Sequence, residues 1–251
     1  MNNNVSLKDR VAVVTGGARG IGAAITRALV ADDARVAFSG LNGDSRLAID
    51  LVASLGADRC RFYESNVGSF EDCTKFVQSV LRDFGHIDIL VNNAGITRDH
   101  TIRKLPVEDW LEVIQVNLNG PFFMIKAVLD HMLERHYGRI VTISSVIAHT
   151  GNIGQANYAA AKAGLFGLTR TVALETAQKG VTANAVAPGF VNTELVAAMP
   201  AHAREAAVER TPEHRLAKPE EIARVVRFLV DENAEFITGA VINVNGGMFM
   251  Q

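Results

Sequence analysis

Short runs of β-branched and other apolar residues alternate with longer stretches of helical periodicity along most of the chain. Arg10-Val11-Ala12-Val13-Val14-Thr15 is a compact apolar run ending in glycines, the pattern of a parallel strand buried on both faces. Comparable runs cover Arg35 to Ser39, Arg61 to Asn66, Asp88 to Val91, Arg139 to Ser145, Val181 to Val186 and Val241 to Val244. The stretches between them predict helices over Ile21–Asp32, Ser45–Leu55, Phe70–Phe84, Val107–Arg135, Tyr158–Gln178 and Pro219–Val230. Alternation repeated this often implies βαβ crossovers and a parallel sheet covered on both faces. The pattern predicts a single α/β domain over residues 1–251, a doubly wound parallel sheet of seven strands flanked by helices. One interval breaks it. Pro188 to Pro219 carries prolines at both ends and at 200 and 212, with no strand signal and one short helix around Ala201–Glu209. It reads either as a lid over a site, at about 189–218, or as a surface connection between helices.

Composition narrows the class without naming a reaction. The 251 residues are 48% hydrophobic and 21% charged, an ordinary globular balance. Lys and Arg number 25 against 27 Asp and Glu, with no one-sided block, so the basic stripe that a nucleic-acid backbone requires is missing. No uncharged apolar run approaches the ~18 residues of a membrane span. The opening Met1-Asn2-Asn3-Asn4-Val5-Ser6 lacks the apolar core of a secretory signal. Cys60 and Cys73 show no CxxC spacing and read as reduced, apolar thiols in a cytoplasmic protein. The histidines show no metal spacing, so no metal is expected. Trp110 and the Phe122-Phe123 pair read as core or interface anchors.

The first candidate chemistry lies where the first strand runs into Thr15-Gly16-Gly17-Ala18-Arg19-Gly20-Ile21-Gly22 and then a helix. Glycines at a strand-to-helix turn let the backbone approach a pyrophosphate, and the helix N-terminus offers N–H groups and a positive dipole end to it. The spacing, glycines at 16, 20 and 22, differs from G-x-G-x-x-G. The end of the second strand would carry an acid to accept the ribose 2′-OH of NAD; here it reads Ser39-Gly40-Leu41-Asn42, with Asp44 several residues on. Lack of that acid, with Arg19 in the glycine loop and Arg46 as a second cation, favours NADP(H).

The second lies at Tyr158 and Lys162, four apart at the start of a helix and so on one face. A free phenol, with a pKa near 10, is a weak acid for proton transfer at neutral pH. An ammonium about 4 Å away contributes up to roughly 4 kcal/mol at an effective dielectric of 20, enough to lower the phenol pKa by up to about three. The strand Arg139 to Ser145 ends at the same sheet edge as the glycine loop, where open α/β sheets bind ligands. A serine hydroxyl there can donate to a developing alkoxide. Ser144 and Ser145 point to opposite sides, so only one should face the site.

With these residues in view, the chain resembles the short-chain dehydrogenase/reductases over essentially its whole length. The matches are Thr15-Gly16-x-x-x-Gly20-Ile21-Gly22, Asn92-Asn93-Ala94-Gly95, Asn117, Ser145, Tyr158-x-x-x-Lys162 and Pro188-Gly189. The resemblance implies a Rossmann-type fold with Tyr158 as general acid for carbonyl reduction and Ser145 as the donor that orients the carbonyl. It implies that Lys162 binds the nicotinamide ribose and assists Tyr158, and that Asn117 holds a water in a proton relay. It also implies a cofactor site of Thr15, Gly16, Arg19, Gly20, Ile21, Gly22, Asn66, Val67, Asn93, Ala94, Gly95, Pro188, Gly189, Val191 and Thr193. Of these, Asn93 would line the adenosine-side ribose and Thr193 would lie near the nicotinamide amide and phosphates. Asn66 stands where the family usually has Asp; its carbonyl oxygen can still accept from the adenine amino group.

Within the family, Asn93 to Asp99, Gly154 to Lys162 and the ending Val244-Asn245-Gly246-Gly247-Met248 look like bacterial 3-oxoacyl-[acyl-carrier-protein] reductases. Acetoacetyl-CoA reductases of polyhydroxyalkanoate synthesis share much of this. Phe190 and Asn152 lean to the carrier-protein enzymes, which implies Ser145, Gln155, Tyr158 and Phe190 as substrate contacts. An acidic acyl carrier protein asks for cations near the site entrance. Lys179 matches one such position, while the other, usually Arg, is His136 beside Arg135. The family also implies a homotetramer, with Val107–Arg135, Tyr158–Gln178 and the tail Met248-Phe249-Met250 as candidate interfaces. Other ketone or alcohol substrates remain open on this scaffold, as does a non-catalytic NADP-binding regulator; a regulator would tolerate loss of one of Asn117, Ser145, Tyr158 and Lys162, and all four are present.

Overall fold

A computed structural model describes residues 6–250; the N-terminal stretch read above for a secretory signal lies, up to residue 5, outside the described residues. Seven parallel strands form one sheet: β1 Val11–Thr15, β2 Arg35–Gly40, β3 Cys60–Glu64, β4 Ile89–Asn92, β5 Gly138–Ile143, β6 Val181–Pro188 and β7 Val241–Val244, in the order β3-β2-β1-β4-β5-β6-β7. The order reverses between β1 and β4, which opens a crevice at their C-terminal ends. β1 shows why these runs become strands: Ala12 and Val14 enter one apolar layer, Val11 and Val13 the other, and all four are fully buried.

The first layer packs under α1 (Gly20–Ala31), α2 (Ser45–Leu55) and α10 (Pro219–Val230), through Ile25, Leu29, Leu51 and Val226. Asp32, just past α1, pairs with Arg227 of α10 and ties the two helices together. The second layer packs under α3 (Phe70–Phe84), α5 (Gly120–Glu134) and α7 (Ala156–Thr176), through Phe76, Met124, Val128 and Val172. Local signals agree with packing: Ser69 caps α3 by accepting from Asp72 N–H at 3.2 Å, with Glu71 and Asp72 in the first turn and Arg82 in the last. Cys60 and Cys73 are buried and unbridged, and burial pushes the Cys73 thiol up to about 12.

The reading of Val107–Arg135 as one uniform helix needs correction. α4 (Val107–Ile114) passes through a π-turn, Gln115–Asn119, into α5. Pro121 has no N–H to give to the carbonyl of Asn117, four residues back, and its ring would crowd that carbonyl in a regular helix. The extra residue of the π-turn absorbs the conflict. The 188–219 interval holds α9 (Ala201–Glu209), as expected, and a short α8 (Glu194–Ala197) that the pattern did not show. Its two ends are zipped together: Val191 bridges Ala217, Asn192 N–H donates to Ala217 O at 2.8 Å, and Ala217 N–H donates to Phe190 O at 2.9 Å. The excursion is thus anchored at its base beside the C-terminal edge of β6. Among the described residues no helix is long and apolar enough to cross a membrane.

Candidate active site

At the β1–α1 turn the backbone requires glycine. Gly16 and Gly20 have φ of +62° and +53°, and an added Cβ on Gly22 would lie 2.0 Å from the Gly16 carbonyl oxygen. Arg19 is the N-cap of α1, makes no capping bond with its side chain, and no acid lies in the first turn. The first N–H groups of α1 therefore face outward without a side-chain acceptor, a cradle suited to a pyrophosphate. Thr193 closes over it, its Cγ2 3.3 Å from where a Cβ of Gly20 would stand, beside a cavity of about 400 Å³ reaching Asn192 and Pro219. Asn93 braces the turn: its Nδ2 donates to Thr15 O and Gly16 O, both at 3.0 Å. Thr15 Oγ1 in turn accepts from the N–H groups of Asn93 and Ala94, at 3.0 and 3.1 Å.

At the end of β5 the two serines divide as expected. Ser144 Oγ donates to the carbonyl of Lys162 at 2.8 Å, away from the cleft. Ser145 Oγ accepts from Ile147 N–H at 3.2 Å, in the first turn of the short α6 (Ile147–Thr150). That fixes the oxygen and leaves its proton to donate toward Tyr158, whose phenol the Ser145 hydroxyl pulls down. The larger influence on Tyr158 is opposite: burial pushes the phenol up, and the nearby Asp99 adds to the rise. Lys162 is also buried, which pushes its amine down to about 8. Its Nζ donates to Ile143 O at 2.9 Å and lies 5.7 Å from the Tyr158 ring centroid. The expectation of an ammonium at about 4 Å lowering the phenol is therefore corrected. Lys162 is held by Ser144 through its main chain and by Ile143 of β5 through its side chain, and desolvation dominates at Tyr158.

Asn117, within the π-turn, is fully buried and clamps the strand-to-helix loop after β4. Its Oδ1 accepts from Ile96 N–H and its Nδ2 donates to Ile96 O, each at 2.8 Å. Gly95 fits between Asn117 and Lys162: a Cβ there would lie 3.1 Å from Asn117 Oδ1 and 3.5 Å from Lys162 Nζ. Glycine-loop, β4, β5 and α7 residues thus converge on the C-terminal sheet edge. Asn157 was missed by sequence reasoning. It is fully buried, donates to Arg98 O at 3.0 Å and accepts from Tyr158 N–H at 2.8 Å, fixing the first turn of α7 to the loop. Its signal is a polar residue at helical spacing from Ala161 and Leu165, on the buried face of α7. Gln155 donates to Asp99 Oδ2 at 2.9 Å beside the cleft.

The side expected to take the adenosine is looser. Asn66 is exposed and its Oδ1 accepts from Gly68 N–H at 2.9 Å, while Val67 is buried against Gly120. Gly189 packs so tightly on Asn245 that a Cβ would meet its Cα at 2.9 Å. Pro188 O accepts from Val146 N–H at 2.7 Å, joining β6 to the loop after Ser145. The reading of Asp44 as remote is corrected: a 3₁₀ turn over Asn42–Asp44 folds its carboxylate back to the end of β2. There Oδ2 accepts from Leu41 N–H at 3.2 Å and Oδ1 stands 3.5 Å from Arg19 Nε. The residues expected to receive a carrier lie away from the cleft of their own chain. Arg135 and His136 precede β5 and Lys179 precedes β6, so all three sit at the N-terminal edge of the sheet. Six residues of β5, at about 3.3 Å each, put that edge roughly 20 Å from Ser145.

Comparison with known proteins agrees with this geometry. A family model described as enoyl-(acyl carrier protein) reductase matches residues 16–249. An acetoacetyl-CoA reductase of Shinella zoogloeoides is 46% identical over 241 residues, 96% of this chain and 98% of its own. The 3-oxoacyl-[acyl-carrier-protein] reductase FabG of Aquifex aeolicus (strain VF5) is 42% identical over 246 residues, 98% of this chain and 99% of its own. FabG of Escherichia coli (strain K12) is 39% identical over 246 residues, 98% of this chain and all of its own. With a glycine cradle, a Ser–Tyr–Lys edge and similarity over nearly the whole length, the chain belongs to the short-chain dehydrogenase/reductase family.

Proposed function

We propose that the protein reduces the keto group of a 3-oxoacyl thioester carried on acyl carrier protein, using NADPH and releasing the 3-hydroxyacyl thioester. The observation that carries the reading is Ser145 beside Tyr158. Two hydroxyls are poised as donors at one point of the sheet edge, the Ser145 oxygen fixed by Ile147 N–H. Two donors converging on one oxygen suit a carbonyl that becomes an alkoxide. The glycine cradle and the Arg19 guanidinium would hold the dinucleotide, which supplies a hydride to the keto carbon when bound. Tyr158 would then give its proton to the keto oxygen while Ser145 orients and stabilises it. Burial keeps Tyr158 protonated, which fits an acid in the reductive direction. Lys162 would present its ammonium to the ribose. Both carboxamide atoms of Asn117 are engaged with Ile96, so a relay water there would use its main-chain carbonyl, from which Pro121 withholds a helical donor. The excursion over 189–218, with Phe190 at its start, would serve as the lid, and Gln155 as a further substrate contact.

Acetoacetyl-CoA reduction is the second reading, favoured by the similarity to the Shinella enzyme. On the carrier reading, Lys179 and Arg135 would receive the carrier at the far sheet edge, so the acyl chain would enter the site of another copy. A homotetramer would supply that copy. Exposed apolar residues on α4 and α5 (Val107, Leu111, Phe122) and on α7 (Leu174) support such interfaces. The tail contributes Met250, since Phe249 stacks on His149 of its own chain, with ring centroids 4.1 Å apart.

The test compares NADPH oxidation with acetoacetyl-CoA, a longer 3-oxoacyl carrier-protein thioester, crotonyl-CoA and simple ketones. Both 3-oxo thioesters should turn over faster than the ketones, and crotonyl-CoA should not react. Tyr158→Phe should lower kcat by roughly 10²–10⁴, the range of general acid catalysis, with NADPH binding retained. Near-normal turnover in that variant, or a preference for crotonyl-CoA, overturns the proposal.

A further inference from the structure

We propose that Asp44 determines cofactor specificity: its carboxylate holds Arg19 at the end of β2, so the pair accepts a ribose 2′-hydroxyl as it stands and a 2′-phosphate only when Asp44 gives up the guanidinium. The inference rests on the reading of a nicotinamide dinucleotide in the glycine cradle. It departs from the simple assignment of Arg19 to NADPH.

Asp44 is placed by local structure. Its own N–H donates to Leu41 O at 2.9 Å and its Oδ2 accepts from Leu41 N–H, so the turn closes on itself. Gly40 makes room for it, because a Cβ at that position would lie 2.8 Å from Asp44 Oδ2. The strand thus ends on a bare glycine with a carboxylate laid over it, five residues after the strand position Ser39 but next to it in space. Asp44 is 18% exposed and Arg19 61%, so the anion is seated and the cation is the more accessible partner. Arg46, the other cation near this end, pairs with Asp50 on its own helix at 3.4 Å.

The chemistry opposes the two cofactors here. A carboxylate accepts a hydrogen bond from a free 2′-hydroxyl, the interaction that selects NAD at the end of a second strand. A 2′-phosphate brings like charge to Asp44 and competes with it for the guanidinium, whose planar fork suits phosphate. Arg19 is exposed and the pair with Asp44 is long, so exchange of the guanidinium is cheap and discrimination should be modest in both directions. The site is therefore set for dual use, with Asp44 as the term that restrains NADPH.

The experiment is calorimetric titration of the full-length protein with NADPH, NADH, adenosine 2′,5′-bisphosphate and 5′-AMP. The last two probe the adenosine end alone. Asp44→Asn keeps an acceptor for Leu41 N–H and should tighten NADPH and the bisphosphate by about three- to tenfold, while weakening NADH about twofold or more. Asp44→Ser, with circular dichroism as a check on folding, should move the ratio the same way. Arg19→Ala should weaken NADPH and the bisphosphate and leave NADH within a factor of two. An NADPH-to-NADH affinity ratio unchanged within twofold in both Asp44 variants overturns the inference. If the wild type binds only NADH and Asp44→Asn gains NADPH binding, the inference stands and the NADPH assignment falls. Wild-type protein that binds neither dinucleotide overturns both.

Discussion

The two ends of the cleft are built by different rules. At the end around Ser145 and Tyr158, Asn117, Asn157, Ser144 and Lys162 are buried, and their polar atoms are bonded to backbone groups. At the end around the glycine loop and β2, Arg19 and Asn66 are exposed, and their partners are a carboxylate and a local turn. Stripping a buried polar group of its partner costs about 1–3 kcal/mol, whereas an exposed ion pair contributes about 0–1 kcal/mol. The end around Ser145 and Tyr158 is thus held by buried bonds, and the end around Arg19 by exposed ones. On the proposed reading, the proton donor would sit on the rigid half and the choice of cofactor on the yielding half.

Substitutions that cross this divide should separate sharply. The largest effect is expected from Gly22→Ala, because its methyl would press on the Gly16 carbonyl that the cradle cannot move. Dinucleotide binding measured by NADPH fluorescence should weaken at least about a hundredfold; retention within tenfold would mean that the cradle is not rigid. Next is Asn117→Ala, which leaves the N–H and C=O of Ile96 without their partners. A cost of about 2–4 kcal/mol corresponds to a fall in melting temperature of roughly 4–16 °C for a chain of this size. A fall below about 2 °C would show that the catalytic end is less locked than its hydrogen bonds indicate.

A pH experiment sharpens the same point at Lys162. Its amine has a pKa of about 8 in the folded protein and about 10.4 in the unfolded chain. Between those values the unfolded state binds more protons, so this group makes stability rise with pH from about 8 to about 10.4. The buried thiols, pushed up in the fold, act in the opposite sense at alkaline pH. The informative quantity is therefore the difference between wild type and Lys162→Met in denaturant midpoint across that window. The wild-type curve should rise relative to the variant; parallel curves would place Lys162 in contact with water. The smallest effect belongs to the yielding end: Arg46→Ala should change NADPH affinity by less than about twofold, because Arg46 is exposed and paired with Asp50. A loss beyond about fivefold would extend the phosphate site onto α2.

The same divide governs what could be read before the fold was known. All seven strands were legible, because strands buried on both faces leave continuous apolar runs. The glycine turn was legible because glycine at 16, 20 and 22 has few other reasons to occur between a strand and a helix. The π-turn was not, since one extra residue barely disturbs a helical pattern, although Pro121 placed four residues after Asn117 was a local clue. Short helices such as α6 and α8, each four residues long, carry too little periodicity to stand out. Asp44 is distant along the chain but near in space, because a single 3₁₀ turn brings it back to the end of β2. Arg135, His136 and Lys179 lie at the opposite sheet edge from Ser145 of their own chain, which matching positions alone do not reveal.

The sequence by itself determined the doubly wound sheet, the glycine cradle and the convergence of Ser145, Tyr158 and Lys162, because each depends on periodicity or spacing within one or two adjacent elements. Only the tertiary structure decided the state of those groups. Burial among β5, α7 and the loop after β4 sets the amine of Lys162 down and the phenol of Tyr158 up, and desolvation depends on every element packed around a group. It also decided that Arg19 meets a carboxylate, because that partner arrives by a backbone turn whose direction no alternation of apolar and polar residues records.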